Sequence, residues 1–311
     1  MSDPRVMTAD DLGRVTALLD DIFRRGNQVF DQTILTDFPL VFAPPNQHNC
    51  RVIEVAGEIV SHAAIWPCRL IVGGASLKLG IVVLVATHPD HRHQGFAACL
   101  MQDLQQTMRD EQYDLGVLWT SVPEFYRNLG WEVVRPRGWI IDDLNRHEVS
   151  AQSPPLGESV AQYDAGEHLD GIMRLHDQEP VRVARSRSEY AALLELPKIH
   201  VHVLVAGGDV QAYVVIGQAV NKRGLIEYGG SPNNVARLAT TVVAEQSYQS
   251  PLPALLFHSH HELKQVFADA GASLAPLECS KGRGNEMILD VRGDIAAVMS
   301  DDLFFWGLDF T

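Results

Sequence analysis

The feature that most constrains this chain is the run Val85-Ala86-Thr87-His88-Pro89-Asp90-His91-Arg92-His93-Gln94-Gly95-Phe96-Ala97. The apolar stretch from Ser76 to Thr87 predicts a buried strand, which Pro89 ends. Phe96, Cys99, Leu100, Leu104 and Met108 then recur at helical spacing, predicting an amphipathic helix that opens at Gly95 and runs to about Glu111. The first-turn amides of such a helix have no intrahelical partner, and its dipole is positive at that end. A pyrophosphate suits this terminus. Gly95 lets ligand oxygens approach the backbone, Ala97 keeps the next position small, and Arg92 can set a positive charge beside the phosphates. The chain has no Walker pattern here, because no Gly-Lys-Ser or Gly-Lys-Thr follows. One glycine of G-x-G-x-x-G does not make a dinucleotide fingerprint either.

Around this run the pattern is that of an α/β layer architecture. Thr8 caps a predicted helix over about 9–25, and strands are predicted at Arg51–Val55 and Ile59–Trp66, joined by Ala56-Gly57-Glu58. After the central helix come a strand at Leu115–Thr120, a short helix near Glu124–Leu129, and a strand at Trp131–Val134. The second half repeats the plan: His202 to Val210 reads strand, turn, strand, as Arg51 to Ile59 does. Leu225–Tyr228 stands where Val82–Val85 stood, and Val266-Phe267-Ala268-Asp269-Ala270-Gly271 aligns with Phe125-Tyr126-Arg127-Asn128-Leu129-Gly130. Two related domains are therefore predicted, 1–148 and 149–311, with Pro154-Pro155 in the linker.

Composition narrows the function. With 25 basic against 39 acidic residues the formal charge is -14, which argues against nucleic acid as a partner and suits a cationic one such as an amine. The four cysteines are scattered without a C-x-x-C pair, and neither a signal-peptide layout nor a membrane-length apolar run is present. No membrane partner and a cytoplasmic location are the expectations; a homo-oligomer stays open. His258-Ser259-His260-His261 alternates on a strand end with no cysteine partner nearby, and His88, His91 and His93 lie within the phosphate loop, so no metal is expected. Lys281-Gly282-Arg283-Gly284 reads as a surface turn.

Arg92-x-x-Gly95-x-Ala97, preceded by His88-Pro89, resembles the R-x-x-G-x-G/A signature of the GNAT N-acetyltransferase superfamily. Glu124-Phe125-Tyr126-Arg127-Asn128-Leu129-Gly130-Trp131 resembles its second landmark, a short helix followed by Gly-Phe or Gly-Trp and a strand. With Leu118-Trp119-Thr120-Ser121 added, the chain is most similar to the Eis-type (enhanced intracellular survival) acetyltransferases, which carry a second, degenerate GNAT domain. The resemblance implies an α+β fold of two tandem GNAT-like domains, each a mixed, mostly antiparallel sheet flanked by helices. It implies acetyl-CoA as acyl donor and a primary amine as acceptor. Val85, Ala86 and Thr87 would meet the pantetheine arm, and His93, Gln94, Gly95, Phe96, Ala97 and Ala98 would wrap the pyrophosphate. Ser121 would lie near the cofactor across the cleft, and Tyr126 would be the general acid.

The chemistry supports Tyr126 on its own terms, because a thiolate with a conjugate pKa of roughly 8.5 leaves better when protonated. The second half has Phe267 in place of Tyr126 and Ser231-Pro232-Asn233-Asn234-Val235-Ala236-Arg237 in place of the loop, so one cofactor per chain is expected. For the general base the resemblance points to the C-terminal carboxylate, here at Thr311, with Glu54, Asp37 and His62 as alternatives. The chain departs from the Eis pattern in ending after the second domain, without a third, sterol-carrier-like one. A non-catalytic acyl-CoA sensor and an inert two-domain scaffold are the competing readings.

Overall fold

The computed structural model describes residues 3–24, 33–134, 138–144, 157–219, 222–246, 248, 250–257, 261–276, 285–293 and 308. The chain divides into two compact units, each a mixed sheet flanked by helices. The first comprises Met1–Leu70, Ser76–Arg135 and Cys279–Met299; the second comprises Ile71–Ala75, Pro136–Glu278 and Ser300–Thr311.

In chain order the first unit opens with β1 (Arg5–Val6), α1 (Leu12–Phe23), α2 (Ile34–Asp37), β2 (Cys50–Val55), β3 (Glu58–Val72) and β4 (Ala75–Thr87). It continues with α3 (Phe96–Asp110), β5 (Leu115–Thr120), α4 (Pro123–Arg127) and β6 (Glu132–Val133). The second unit holds β7 (Gly138–Ile141), β8 (Glu158–Gln162), α5 (Ala165–His176), β9 (Val181–Ala184), α6 (Arg187–Leu194) and β10 (Ile199–Ala206). It goes on with β11 (Asp209–Ala219), β12 (Lys222–Gly230), α7 (Pro232–Glu245), β13 (Ala254–Phe257), α8 (His261–Asp269) and β14 (Leu274–Pro276). The last strand, β15 (Asn285–Asp290), returns to the first unit.

The sheets run in the orders β1-β2-β3-β4-β5-β15-β6 and β14-β7-β13-β12-β11-β10-β8. A division at 148/149 therefore differs from the contacts: residues 71–75 group with the second unit, and two strands fall on the other side of the division. Residues 138–141 pair with β13 in the second sheet, and residues 285–290 pair with the whole of β5 in the first. Alternation in a sequence marks a segment as a strand, whereas the sheet it joins is set by long-range pairing that leaves no local signal.

In the first unit α3 buries Phe96, Leu100, Met101, Leu104 and Met108 against Ile53, Val60, Ile65, Val82 and Leu118. Gly80 and Gly116 face one another across β4 and β5. A Cβ on Gly80 would lie 2.7 Å from Met108 Cε, and one on Gly116 would lie 2.9 Å from Trp131 Cη2. Here the helix and the Trp131 indole press directly on the sheet.

The two units share local geometry as well as order. Trp131 N–H donates to Tyr126 C=O (3.1 Å) and Gly130 N–H to Arg127 C=O (3.0 Å). In the second unit Ala272 N–H donates to Phe267 C=O and Gly271 N–H to Ala268 C=O, both at 2.9 Å. Gly130 and Gly271 adopt φ of 87° and 88°, the left-handed residue that a Schellman helix stop requires.

Three of the buried imidazoles have a lowered pKa. His62 and His202 are pushed down to about 4 and His176 to about 3, in each case first by burial. Their folded values lie below the unfolded value near 6.5, so between these limits the unfolded chain binds more protons. Stability should be fully present above pH 6.5 and fall steadily as pH drops toward 3. Thermal melts from pH 8 to pH 4 check this; a midpoint flat across that range would contradict it.

Candidate active site

The strands β4 and β5 run parallel, so their C-terminal ends lie at the same edge of the sheet. This brings Thr87–Ala98 and Ser121–Tyr126 to one side. Among the described residues the β4–β5 register covers Leu79–Ile81 against Leu115–Val117 and goes no further. Beyond it β5 keeps pairing with β15 through Thr120, while β4 loses its β5 neighbour. Val83, Leu84 and Val85, apolar residues that would be fully buried in a closed sheet, are only half-buried there.

At the end of β4, Pro89–His91 forms a 3-10 turn whose His88 Nδ1 accepts from Asp90 N–H. Arg92 Nε donates to Thr87 C=O at 3.2 Å. His93 and Gly95 both take left-handed φ, 62° and 83°. Gly95 is the N-cap of α3 and offers no side-chain acceptor. Cys99 N–H to Gly95 C=O, 3.0 Å, closes the first turn, so the amides of Phe96, Ala97 and Ala98 lie ahead of it. Arg92, His93, Gln94 and Gly95 are exposed, Ala97 and Ala98 half-buried, and Phe96 is buried with the core. The start of α7 is built otherwise: Ser231 Oγ accepts from Asn234 N–H, and Pro232 at the first helical position has no N–H to give.

Across the opening, Ser121 and Val122 are exposed at the end of β5. Tyr126 on α4 is 7% exposed, its ring edge-on to Phe125 (centroids 4.8 Å) and Trp131 (6.4 Å). Burial alone pushes its phenol up to about 12, so it is protonated at neutral pH and able to donate.

Of the base alternatives, Glu54 is bound by Arg5 (2.6 Å) and Arg14 (3.5 Å), and Asp37 by Arg24. His62 is fully buried, its Nδ1 2.9 Å from Leu84 C=O. Thr311, His258, His260 and Lys281–Gly284 lie outside the described residues. Among those described, no group of three or more His, Cys, Asp or Glu could hold a metal, and no helix is long and apolar enough to cross a membrane. Sequence reasoning did not find the hold that Ser61 and His62 exert on β4. Its signal is a backbone one, Leu84 at φ 55°, which no residue pattern announces.

Residues 3–134 match the family model for a GNAT acetyltransferase domain. A 77-residue stretch is 35% identical to the aminoglycoside 2'-N-acetyltransferase of Mycolicibacterium fortuitum, covering 24% of this chain and 39% of that protein. The fold is similar to that of a GCN5-related N-acetyltransferase from Anabaena variabilis, with a TM-score of 0.65 over 94% of this chain and 73% of that one at 14% identity. It is also similar to Eis1 from Mycobacterium abscessus, with a TM-score of 0.62 over 98% of this chain and 77% of that one, again at 14% identity.

Proposed function

We propose that this chain, whose residues 3–134 form a GNAT acetyltransferase domain, moves an acetyl group from acetyl-CoA to a primary amine. The observation that carries the reading is the opening of β4 from β5 beside the uncapped start of α3, with the Tyr126 phenol at the same edge. Val85, Ala86 and Thr87 offer the pantetheine arm a strand edge. The first amides of α3, with Arg92, His93, Gln94, Gly95, Phe96, Ala97 and Ala98, form the pyrophosphate cradle, and Ser121 borders the thiol end. The amine attacks the thioester carbonyl, the new C–N bond forms, the C–S bond breaks, and Tyr126 gives its proton to the departing sulfur. The formal charge of -14, together with the local likeness to an aminoglycoside acetyltransferase, favours a polycationic acceptor.

The test is calorimetric titration with acetyl-CoA, followed by thiol release with polyamines, aminoglycosides and lysine peptides. Gly95→Val should weaken acetyl-CoA binding by at least about tenfold, because a β-branched residue is strained at φ 83° and crowds the phosphates. Binding without thiol release on any amine favours the sensor. A wild-type chain that binds no acetyl-CoA removes the reading altogether.

A further inference from the structure

We propose that His62 is a positioning residue of this site, whose ring N–H holds the Leu84 carbonyl and so sets the backbone edge of β4 that meets the pantetheine arm. The inference rests on the acyltransferase reading and adds a residue to it.

Leu84 sits in the stretch of β4 that has no β5 neighbour, and its φ of 55° is a conformation leucine rarely takes. A single left-handed residue in a strand breaks the alternation of its carbonyls and amides, and so re-aims the edge. Such a residue persists only where its surroundings over-determine it, and sites where it does are often functional. Three consecutive residues of β3 supply that constraint. Val60 C=O accepts from His88 N–H at 2.8 Å. Ser61 Oγ donates to Ala86 C=O at 2.8 Å and lies 2.8 Å from Thr87 Oγ1. His62 Nδ1 lies 2.9 Å from Leu84 C=O.

A carbonyl only accepts, so Nδ1 carries the hydrogen, and the Nε2 of the neutral ring is then a bare acceptor. Nε2 is buried with no hydrogen-bond partner, a cost that apolar packing alone would not incur. Phe42 packs against the ring at 5.9 Å between centroids, and burial keeps the ring neutral, with its pKa near 4. A leucine of similar size would fill the space without the unpaired atom. What the histidine adds is a donor aimed at the Leu84 carbonyl.

A purely structural histidine and a positioning one differ in which part of the ligand feels its loss. Calorimetry on the full chain with CoA and with adenosine 3',5'-bisphosphate, which has no pantetheine, separates them. In His62→Leu the CoA Kd should rise about tenfold while the bisphosphate Kd stays unchanged. His62→Asn, whose side-chain amide can place a donor near Nδ1, should recover most of the loss. Equal loss of both ligands, no loss of either, or an asparagine variant no better than the leucine one overturns the proposal. Wild-type chain that binds neither ligand removes the acyl-CoA reading and this inference with it. Wild-type binding with His62→Leu unchanged overturns the inference alone.

Nitrogen NMR of histidine-labelled wild type reads the same claim without relying on a folded variant. The His62 ring should carry its proton on Nδ1 at pH 7, and its signals should shift with CoA but not with the bisphosphate. A proton on Nε2, or no response to CoA, also overturns it.

Discussion

Tyr126→Phe should lower kcat with any accepted amine by about a hundredfold to ten-thousandfold, the span that general acid catalysis supplies, and leave acetyl-CoA affinity within a few-fold of wild type. The ring makes edge contacts with Phe125 and Trp131 that phenylalanine reproduces, so the fold around α4 should persist. What goes is the hydroxyl. Its pKa near 12 keeps it protonated, yet makes it a weaker acid than a free phenol. On the proposed mechanism it yields its proton only as charge builds on the departing sulfur. The variant's rate should recover in part with donors whose thiols are intrinsically more acidic, since those leave without help. Single-turnover thiol release, compared between wild type and variant, checks this. Unchanged turnover in Tyr126→Phe would sink the assignment.

Much of the first unit was legible because its elements are amphipathic and punctuated. The stripe from Phe96 to Met108 became α3, Leu115–Thr120 is β5 residue for residue, and Gly130 ends α4 as predicted. The Tyr126–Gly130 and Phe267–Gly271 segments share their hydrogen bonds, the same glycine helix stop in each unit. What stayed hidden depends on residues distant in sequence. That β15 borders β5, and β7 borders β13, is decided by pairing across more than a hundred residues, which periodicity does not encode. The opening of β4 is likewise invisible in a run that reads as one buried strand from Ser76 to Thr87. The turn after it could be read because a helix start in this place favours glycine, and Gly95 is the N-cap of α3 at φ 83°. The Leu84 conformation could not, because nothing but its neighbours on β3 imposes it.

Arg185→Met should cost the second unit about 3–5 kcal/mol, the usual consequence of stranding one member of a buried ion pair. Arg185, 1% exposed in its side chain, donates twice to the fully buried Glu227, at 3.0 and 2.7 Å. Tyr213 O–H adds a third bond to that carboxylate at 3.1 Å, and Leu308 N–H a fourth at 2.8 Å. Burial pushes the Glu227 carboxyl up, but Arg185 more than offsets this and holds it down at about 2. Glu227 lies in the stretch of β12 that aligns with the open part of β4. At this place in its own sheet the second unit holds a buried, paired carboxylate. Without the guanidinium, Glu227 must either stay charged and unmatched or take up a proton. Its folded pKa then rises above the unfolded value, so protonation favours the folded state and the penalty should shrink as pH falls from 8 to 5. Arg185→Lys should rescue little, since an ammonium does not make the two-pronged contact. Arg185→Met with Glu227→Leu should recover most of the loss, because an apolar pair of similar volume needs no desolvated charge. Urea titrations at both pH values measure all three. A single variant as stable as wild type at pH 8, or no less stable than the double, would show that the pair does not hold this unit together.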